Sequence, residues 1–204
     1  MTPPPQTVIL IRHGEKPGHD GPPHGVNRHG EHDEHSLSVR GWTRAGALAA
    51  VFAHAPLPVT SALATPTSII ATKPTDSNRS RRERDTALPT ALKLGLRIDD
   101  SFAHGEEETV AAAVMRLDGT VLVVWHHGRM AGLVRRFPLA NPDDVSEAWP
   151  DDRFDLFWIL VRQTVDPVSY RFVAQPQLLL EGDHGLDGVD GVDGVDGPDG
   201  GDAS

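Results

Sequence analysis

Uninterrupted apolar runs mark the buried strands of this chain. Runs of aliphatic and β-branched residues without polar interruption are typical of strands buried on both faces of a sheet. Such runs occur at residues 8–11, 120–125 and 156–161. Residues 168–173 alternate instead, which predicts a partner strand for 156–161 across the turn at Asp166-Pro167.

Segments with helical spacing separate these strands. One helix opens within residues 36–45, is capped by Thr43 or an earlier residue, and continues through the Ala-rich stretch 45–52. The others are expected at residues 80–94 with Gly95 as the stop, at 110–117 and at 130–137. One more strand is expected at residues 59–65 or, alternatively, at 69–72. A short strand is expected to end at Ile98 and Asp99. Alternating strands and helices predict an α/β fold.

Two of the buried runs are followed directly by residues that can bind a ligand or take part in catalysis. Arg12-His13-Gly14 follows residues 8–11, and His126-His127-Gly128 follows residues 120–125. In an open α/β sheet, ligands bind just past the carboxyl ends of the strands. Gly permits close backbone approach, Arg can form paired hydrogen bonds with phosphate, and His can act as a nucleophile. The two strand ends therefore predict one site.

Several motifs together resemble the histidine phosphatase superfamily, in particular its small bacterial members. The pentapeptide Arg12–Lys16 resembles the signature of that family, and Arg82 with Ser80 before it and Thr86 four residues after it fits a second motif. His127, which precedes a small residue, matches the second site histidine, and the segment 149–155 resembles one found before a late strand. The resemblance covers roughly residues 8–173.

This resemblance implies a phosphoglycerate mutase-like fold, a three-layer sandwich with a mostly parallel central sheet flanked by helices. It implies a metal-independent phosphatase, in which His13 attacks the phosphorus of a small phosphorylated substrate and becomes phosphohistidine. The oxygens would be held by Arg12, Arg82 and His127. Either Glu106 or Glu107 would protonate the leaving oxygen and then activate water. No cofactor and no metal are implied, and the chain is short where mutase members carry insertions, which favours a phosphatase.

The roles of the two histidines set opposite demands on their protonation. His13 must be neutral at its attacking nitrogen, whereas His127 would stabilise phosphate best when charged. We therefore expect environments that separate the two pKa values.

Composition limits the class of protein further. The 204 residues suit one domain, there is no Cys, and no apolar run approaches the length of a membrane span. The start of the chain lacks the features of a signal peptide, so a cytoplasmic protein without a membrane partner is expected. Residues 181–204 hold eight acidic residues and no Lys or Arg, which accounts for most of the net charge of −10. The remainder is nearly neutral and predicts no nucleic-acid partner.

Two segments fall outside the family pattern. Residues 181–204, where Gly recurs at every third position up to Gly200 and is mostly preceded by Asp, are predicted to be a disordered acidic tail, which leaves residues 1–180 as the domain. Residues 18–35 contain five His and read as a long polar loop. Two alternative functions follow: a catalytically weak phosphate-binding or regulatory protein on the same fold, or a metal-binding module that uses loop 18–35. The oligomeric state is not indicated.

Overall fold

The computed structural model describes residues 3–19, 21–54 and 62–186. The strands in chain order are β1 Thr7–Ile11, β2 Gly25–Val26, β3 Leu37–Ser38, β4 Ser68–Ala71, β5 Ile98–Asp99, β6 Thr120–Val124, β7 Leu156–Val165 and β8 Val168–Pro176. The helices are α1 Val39–Ala53, α2 Arg82–Leu94, α3 Glu107–Val114 and α4 His127–Val134, and a 3₁₀ turn spans Pro142–Asp144.

Six strands form one mixed sheet in the order β5-β4-β6-β1-β7-β8. The four strands from β5 to β1 are mutually parallel, while β7 runs antiparallel to β1 and β8 antiparallel to β7. Strands β2 and β3 form a separate two-stranded ribbon. The predicted mostly parallel central sheet is confirmed.

The helices cover both faces of the sheet because successive strand residues point to opposite sides. Val8 and Leu10 of β1 belong to a core shared with α3 and α4. Ile9 and Ile11 belong to a second core shared with α1 and α2. All four residues are buried, so the sheet is the middle of three layers.

Some predicted boundaries differ from the structure. The strand after α1 is β4, which agrees with the alternative at 69–72; residues 62–65 form no strand, and the rest of 59–65 lies outside the described residues. The cap of α1 is Ser38, which agrees with the prediction of Thr43 or an earlier residue, and its side chain accepts a hydrogen bond from the Gly41 amide. Helices α3 and α4 each begin three residues earlier than predicted and also end three residues earlier.

The end of the described chain packs onto the domain beyond the predicted boundary at residue 180. The carboxylate of Asp183 pairs with the buried guanidinium of Arg44, 2.7 Å away. The carbonyls of His184 and Gly185 accept hydrogen bonds from Arg153. Residues 181–186 therefore differ from the predicted disordered tail, and the rest of that tail, 187–204, lies outside the described residues.

Within the ranges that the structure describes, no helix combines the length and the apolar character needed to cross a membrane.

Candidate active site

The parallel pairing of β1 with β6 brings the two predicted strand ends together. Ile11 lies opposite Val124 in the register, and the Trp125 amide donates to the Ile11 carbonyl. The residues that follow each strand therefore leave the sheet side by side at its carboxyl edge. The ring centroids of His13 and His127 are 6.2 Å apart.

His13 is buried and is held in one tautomer. Its Nδ1 lies 2.6 Å from the Gly14 carbonyl oxygen, and because a carbonyl can only accept, Nδ1 carries the hydrogen. Nε2 therefore keeps its lone pair. Burial, together with the charges of Arg12 and Arg82, lowers the pKa of His13 to about 3. At neutral pH the side chain is an uncharged imidazole, the form a nucleophile requires.

Arg12 is fixed by backbone carbonyls that follow the 3₁₀ turn. Its NH1 group donates to the carbonyls of Asp151 at 2.7 Å and Arg153 at 3.1 Å, and its guanidinium carbon stacks 3.9 Å from the centre of the Phe154 ring. Its Nε is buried and has no hydrogen-bond partner within the described part of the chain. Burial lowers the pKa of Arg12 to about 10, so the group stays charged at neutral pH.

Arg82 reaches the same edge from the first turn of α2. Its guanidinium donates to the Glu34 carbonyl at 2.6 Å and the Ser36 carbonyl at 3.1 Å. Thr86, one turn later, accepts from the Gly14 amide at 2.8 Å and donates to the Arg82 carbonyl. The predicted arrangement, with Thr86 beneath the site and Arg82 directed toward it, is consistent with these bonds.

His127 opens α4 and lies next to Arg12. Its Nδ1 is 3.4 Å from NH2 of Arg12, so Nδ1 accepts and the hydrogen lies on Nε2. Nε2 is 3.5 Å from the Asp151 carboxylate. Burial and Arg12 lower the pKa of His127, while Asp151 opposes the shift. Burial lowers the pKa of both histidines and is more complete for His13, so the expected separation of the two pKa values stays a prediction.

Two guanidinium groups supply the permanent charge of the cluster formed by Arg12, His13, Arg82 and His127. Among the described residues, neither Arg12 nor Arg82 forms an ion pair. The buried carboxyl of Glu83 is near both, but burial raises its pKa, which disfavours its anion. We call these four residues the His13 cluster. It offers two guanidinium groups that lack ion-pair partners among the described residues, beside two neutral imidazoles, an arrangement suited to an anion.

A cleft of about 530 Å³ opens beside Arg82. Loop 18–35 contributes to its wall, so part of this loop lines a cleft that reaches one residue of the His13 cluster, Arg82. The lining residues are Lys16, Pro17, Gly18, His19, Glu34 and Arg82.

The two predicted proton donors lie apart from the hydrogen bonds of the cluster. One carboxylate oxygen of Glu107 accepts from Trp125 Nε1 at 3.2 Å and from the Gly105 amide. Glu106 is exposed and accepts from the Ala103 amide. In the portion of the chain described, neither carboxylate forms a hydrogen bond or an ion pair with a residue of the His13 cluster.

Sequence reasoning did not assign a role to the segment that holds Arg12. The carbonyls of Asp151 and Arg153, the ring of Phe154 and the Asp151 carboxylate all contact the cluster. The Trp-Pro and Arg-Phe-Asp pattern of residues 149–155 marks this segment in the sequence. It does not reveal the contacts with Arg12, because a backbone carbonyl can come from any residue type.

A metal could be held elsewhere in the domain. Within residues 3–19, 21–54 and 62–186, one group of three His, Asp or Glu side chains is close enough to share an ion: His24, His32 and Glu34. None of them belongs to the His13 cluster.

Comparisons with known proteins find likeness in structure. No family model matches the chain, and no curated protein matches it. A solved structure described as mycobacterial hydrolase 1 superposes with a TM-score of 0.50 at 17% sequence identity, covering 82% of this chain and 96% of that one.

Mycobacterial glucosyl-3-phosphoglycerate phosphatase is also similar. Its native structure has a TM-score of 0.47 at 18% identity and covers 82% of this chain and 97% of its own. Its complex with inorganic phosphate has a TM-score of 0.48 at 17% identity, with coverage of 82% and 95%. Likeness at this identity concerns the fold, and the architecture of this chain is the phosphoglycerate mutase-like α/β fold that its sequence predicts.

Proposed function

We propose that this chain is a phosphatase that hydrolyses a phosphomonoester through a phosphohistidine intermediate on His13. The observation that carries the proposal is a neutral His13 with a free Nε2 beside Arg12 and Arg82, which lack carboxylate partners among the described residues. A buried cation that, like Arg12, has no ion-pair partner in the described part of the chain costs free energy, and a bound phosphoryl group offsets that cost. The unpartnered Nε of Arg12 supplies a further donor for its oxygens.

The first step is an in-line displacement at phosphorus. Nε2 of His13 donates its electron pair to form a P–N bond, while the bond from phosphorus to the ester oxygen breaks and the leaving oxygen takes a proton from a carboxylic acid. Arg12, Arg82 and His127 hold the remaining oxygens, on which charge develops. The anion also attracts a proton to His127, so its pKa rises when phosphate binds.

The second step returns the enzyme to its starting state. The carboxylate left by the first step takes a proton from water, the water oxygen bonds to phosphorus, and the P–N bond breaks. Inorganic phosphate leaves and Nε2 regains its electron pair. Two guanidinium groups neutralise the phosphoryl oxygens, so the proposed mechanism requires no metal.

Three carboxyl groups are candidates for the acid that protonates the leaving oxygen. Glu106 and Glu107 follow from the family resemblance. Asp151 is added by its position, because its exposed carboxylate lies 3.5 Å from His127 Nε2 and its backbone holds Arg12.

The proposal is tested by hydrolysis of p-nitrophenyl phosphate with and without EDTA, using the wild type, His13→Ala and, as a control, His54→Ala at the exposed end of α1. We expect EDTA-resistant turnover in the wild type and the control, and loss of about 10³-fold or more in His13→Ala. Labelling with ³²P should give an acid-labile, alkali-stable adduct that His13→Ala lacks. Turnover that survives in His13→Ala contradicts the mechanism.

A second candidate function is phosphate binding with little catalysis. It is favoured by the absence, among the described residues, of any carboxylate hydrogen-bonded to the His13 cluster. Tight binding of vanadate or phosphate by a folded wild type that hydrolyses neither aryl nor alkyl phosphates would select this candidate.

A further inference from the structure

Three donor groups of loop 18–35 converge beside the β-bridge between Val26 and His32. Nε2 of His32 lies 2.5 Å from a carboxylate oxygen of Glu34, and the ring centroids of His24 and His32 are 5.7 Å apart. One ligand atom from each of His24, His32 and Glu34 lies within 4.8 Å of the others. The other three histidines of the loop are not part of this group.

Backbone pairing explains the convergence. Val26 of β2 forms an antiparallel bridge with His32, and the Asp33 amide donates to the Gly25 carbonyl. Two residues beyond the Val26–His32 bridge, the same register sets His24 opposite Glu34, and residues directly opposite in an antiparallel pair project to the same face. His32 and Glu34 are two residues apart, and the contact between their side chains shows that both project to the same side.

We propose that His24, His32 and Glu34 bind one Zn²⁺ ion. Two imidazoles and one carboxylate form a ligand set that Zn²⁺ accepts, with a water as the fourth ligand. All three residues are exposed, with side-chain accessibilities of 64% for His32 and 51% for Glu34, so the ion can enter directly from solvent. The ligands need only small side-chain adjustments, because the backbone already holds them on one face.

The position of the site indicates a structural role. The carbonyl of Glu34 accepts a hydrogen bond from Arg82, and Asp33, between two of the ligands, forms an ion pair with Arg81. An ion that joins His24 to His32 and Glu34 links the two segments that meet at the Val26–His32 bridge. It therefore stabilises the segment that supports Arg82, without touching the His13 cluster.

The test is calorimetric titration of the untagged full chain with ZnCl₂, for the wild type, His24→Ala, His32→Ala and the matched control His29→Ala. His29 is exposed on the same loop but outside the group, and its imidazole accepts from Arg28. We expect one Zn²⁺ per chain in the wild type and in His29→Ala, with affinity at least about tenfold lower in His24→Ala and His32→Ala. Melting temperatures of the metal-free proteins establish that all four are folded.

A second measurement uses the same proteins. Zn²⁺ that binds the folded state raises the melting temperature, so the wild type and His29→Ala should be protected, and the two ligand variants should not. Absence of binding by the wild type at 100 µM Zn²⁺ (roughly the weak end of a useful site), or equal affinity in all four proteins, would overturn the proposal and leave His32 and Glu34 as a plain ion pair.

Discussion

The protonation state of His13 comes from its surroundings. An imidazole ordinarily titrates near neutral pH, but this one is buried and faces two guanidinium groups that oppose a further positive charge. The hydrogen bond to the Gly14 carbonyl raises the pKa, yet it does not outweigh these effects. The same bond leaves Nε2 free, so a single contact determines both the tautomer and the atom available for attack.

This shift predicts a pH-dependent stability. Between the ordinary pKa of His and the folded value of about 3, the unfolded chain binds a proton at His13 that the folded chain does not. The free energy of unfolding should therefore fall on acidification below about pH 6.5, by up to about 1.4 kcal/mol per pH unit from this group. Urea denaturation from pH 7 to pH 4.5 should give a shallower fall for His13→Ala than for the wild type or His54→Ala. Parallel curves for all three would contradict the assignment.

The proton donor to the leaving oxygen is predicted to be Asp151. One oxygen of Glu107 already accepts from two N–H groups, whereas the Asp151 carboxylate is free to meet a leaving group beside His127. We expect Asp151→Asn to lower kcat for an alkyl phosphate by about 10²-fold or more, and Glu106→Gln and Glu107→Gln to lower it far less. p-Nitrophenyl phosphate is the control substrate, because its leaving group needs little protonation and its turnover should barely change. A large loss confined to Glu106→Gln or Glu107→Gln would assign the acid there instead.

Close packing of two glycines joins the loop after β1 to helix α1. A Cβ built on Gly14 would lie 2.8 Å from the Gly41 carbonyl oxygen, and one built on Gly41 would lie 2.4 Å from the Glu15 carbonyl oxygen. Both distances are shorter than real side chains tolerate. This contact lets the turn that carries His13 lie directly on the first turn of α1.

Helix α1 therefore offers a paired test. Gly46 is exposed in the same helix and a Cβ there would meet no atom within 4 Å. Gly46→Ala should raise the free energy of unfolding by about 0.5–1 kcal/mol through helix propensity, whereas Gly41→Ala should lower it by roughly 1–3 kcal/mol because backbone must move. Thermal and urea denaturation measure both. A stabilised Gly41→Ala would show that the loop and the helix do not touch in solution.

Across the whole molecule, one buried arginine joins the site to the end of the described chain. Arg44 in α1 pairs with Glu15, just after the His13 turn, at 2.8 Å and with Asp183 at 2.7 Å. These carboxylates raise the pKa of Arg44 further above its usual range. Arg153, whose carbonyl holds Arg12, donates in turn to the carbonyls of His184 and Gly185.

Truncation tests how far the domain extends. A chain that ends at Leu186 should keep the stability of the full chain, whereas one that ends at Leu180 loses Asp183 and should be less stable by roughly 3 kcal/mol, because a buried ion pair is broken. The matched substitution Asp183→Asn in the full chain should reproduce much of that loss. Urea denaturation compares the four proteins. Equal stability of the two truncations would return the domain boundary to residue 180.

The amino-acid sequence by itself determined the parts of this protein that depend on local pattern. Apolar runs located β1, β6 and β7, helical spacing located the four helices to within a few residues, and strand-end residues identified Arg12, His13 and His127. These inferences succeed because burial and secondary-structure period are properties of neighbouring residues along the chain. The Arg82 and Thr86 spacing belongs to the same class, since four residues return a helix to one face.

Only the tertiary structure decided the features that depend on distant backbone and on burial. The carbonyls that hold Arg12 come from residues about 140 positions away, and any residue type could supply them. The pKa of His13 depends on how completely it is buried, and the grouping of His24, His32 and Glu34 depends on a strand register that five scattered histidines do not encode. The burial of Asp183 likewise depends on its partner Arg44. The sequence around Asp183, an acidic Gly-rich repeat, is typical of solvated chain and does not indicate a buried cation beside it.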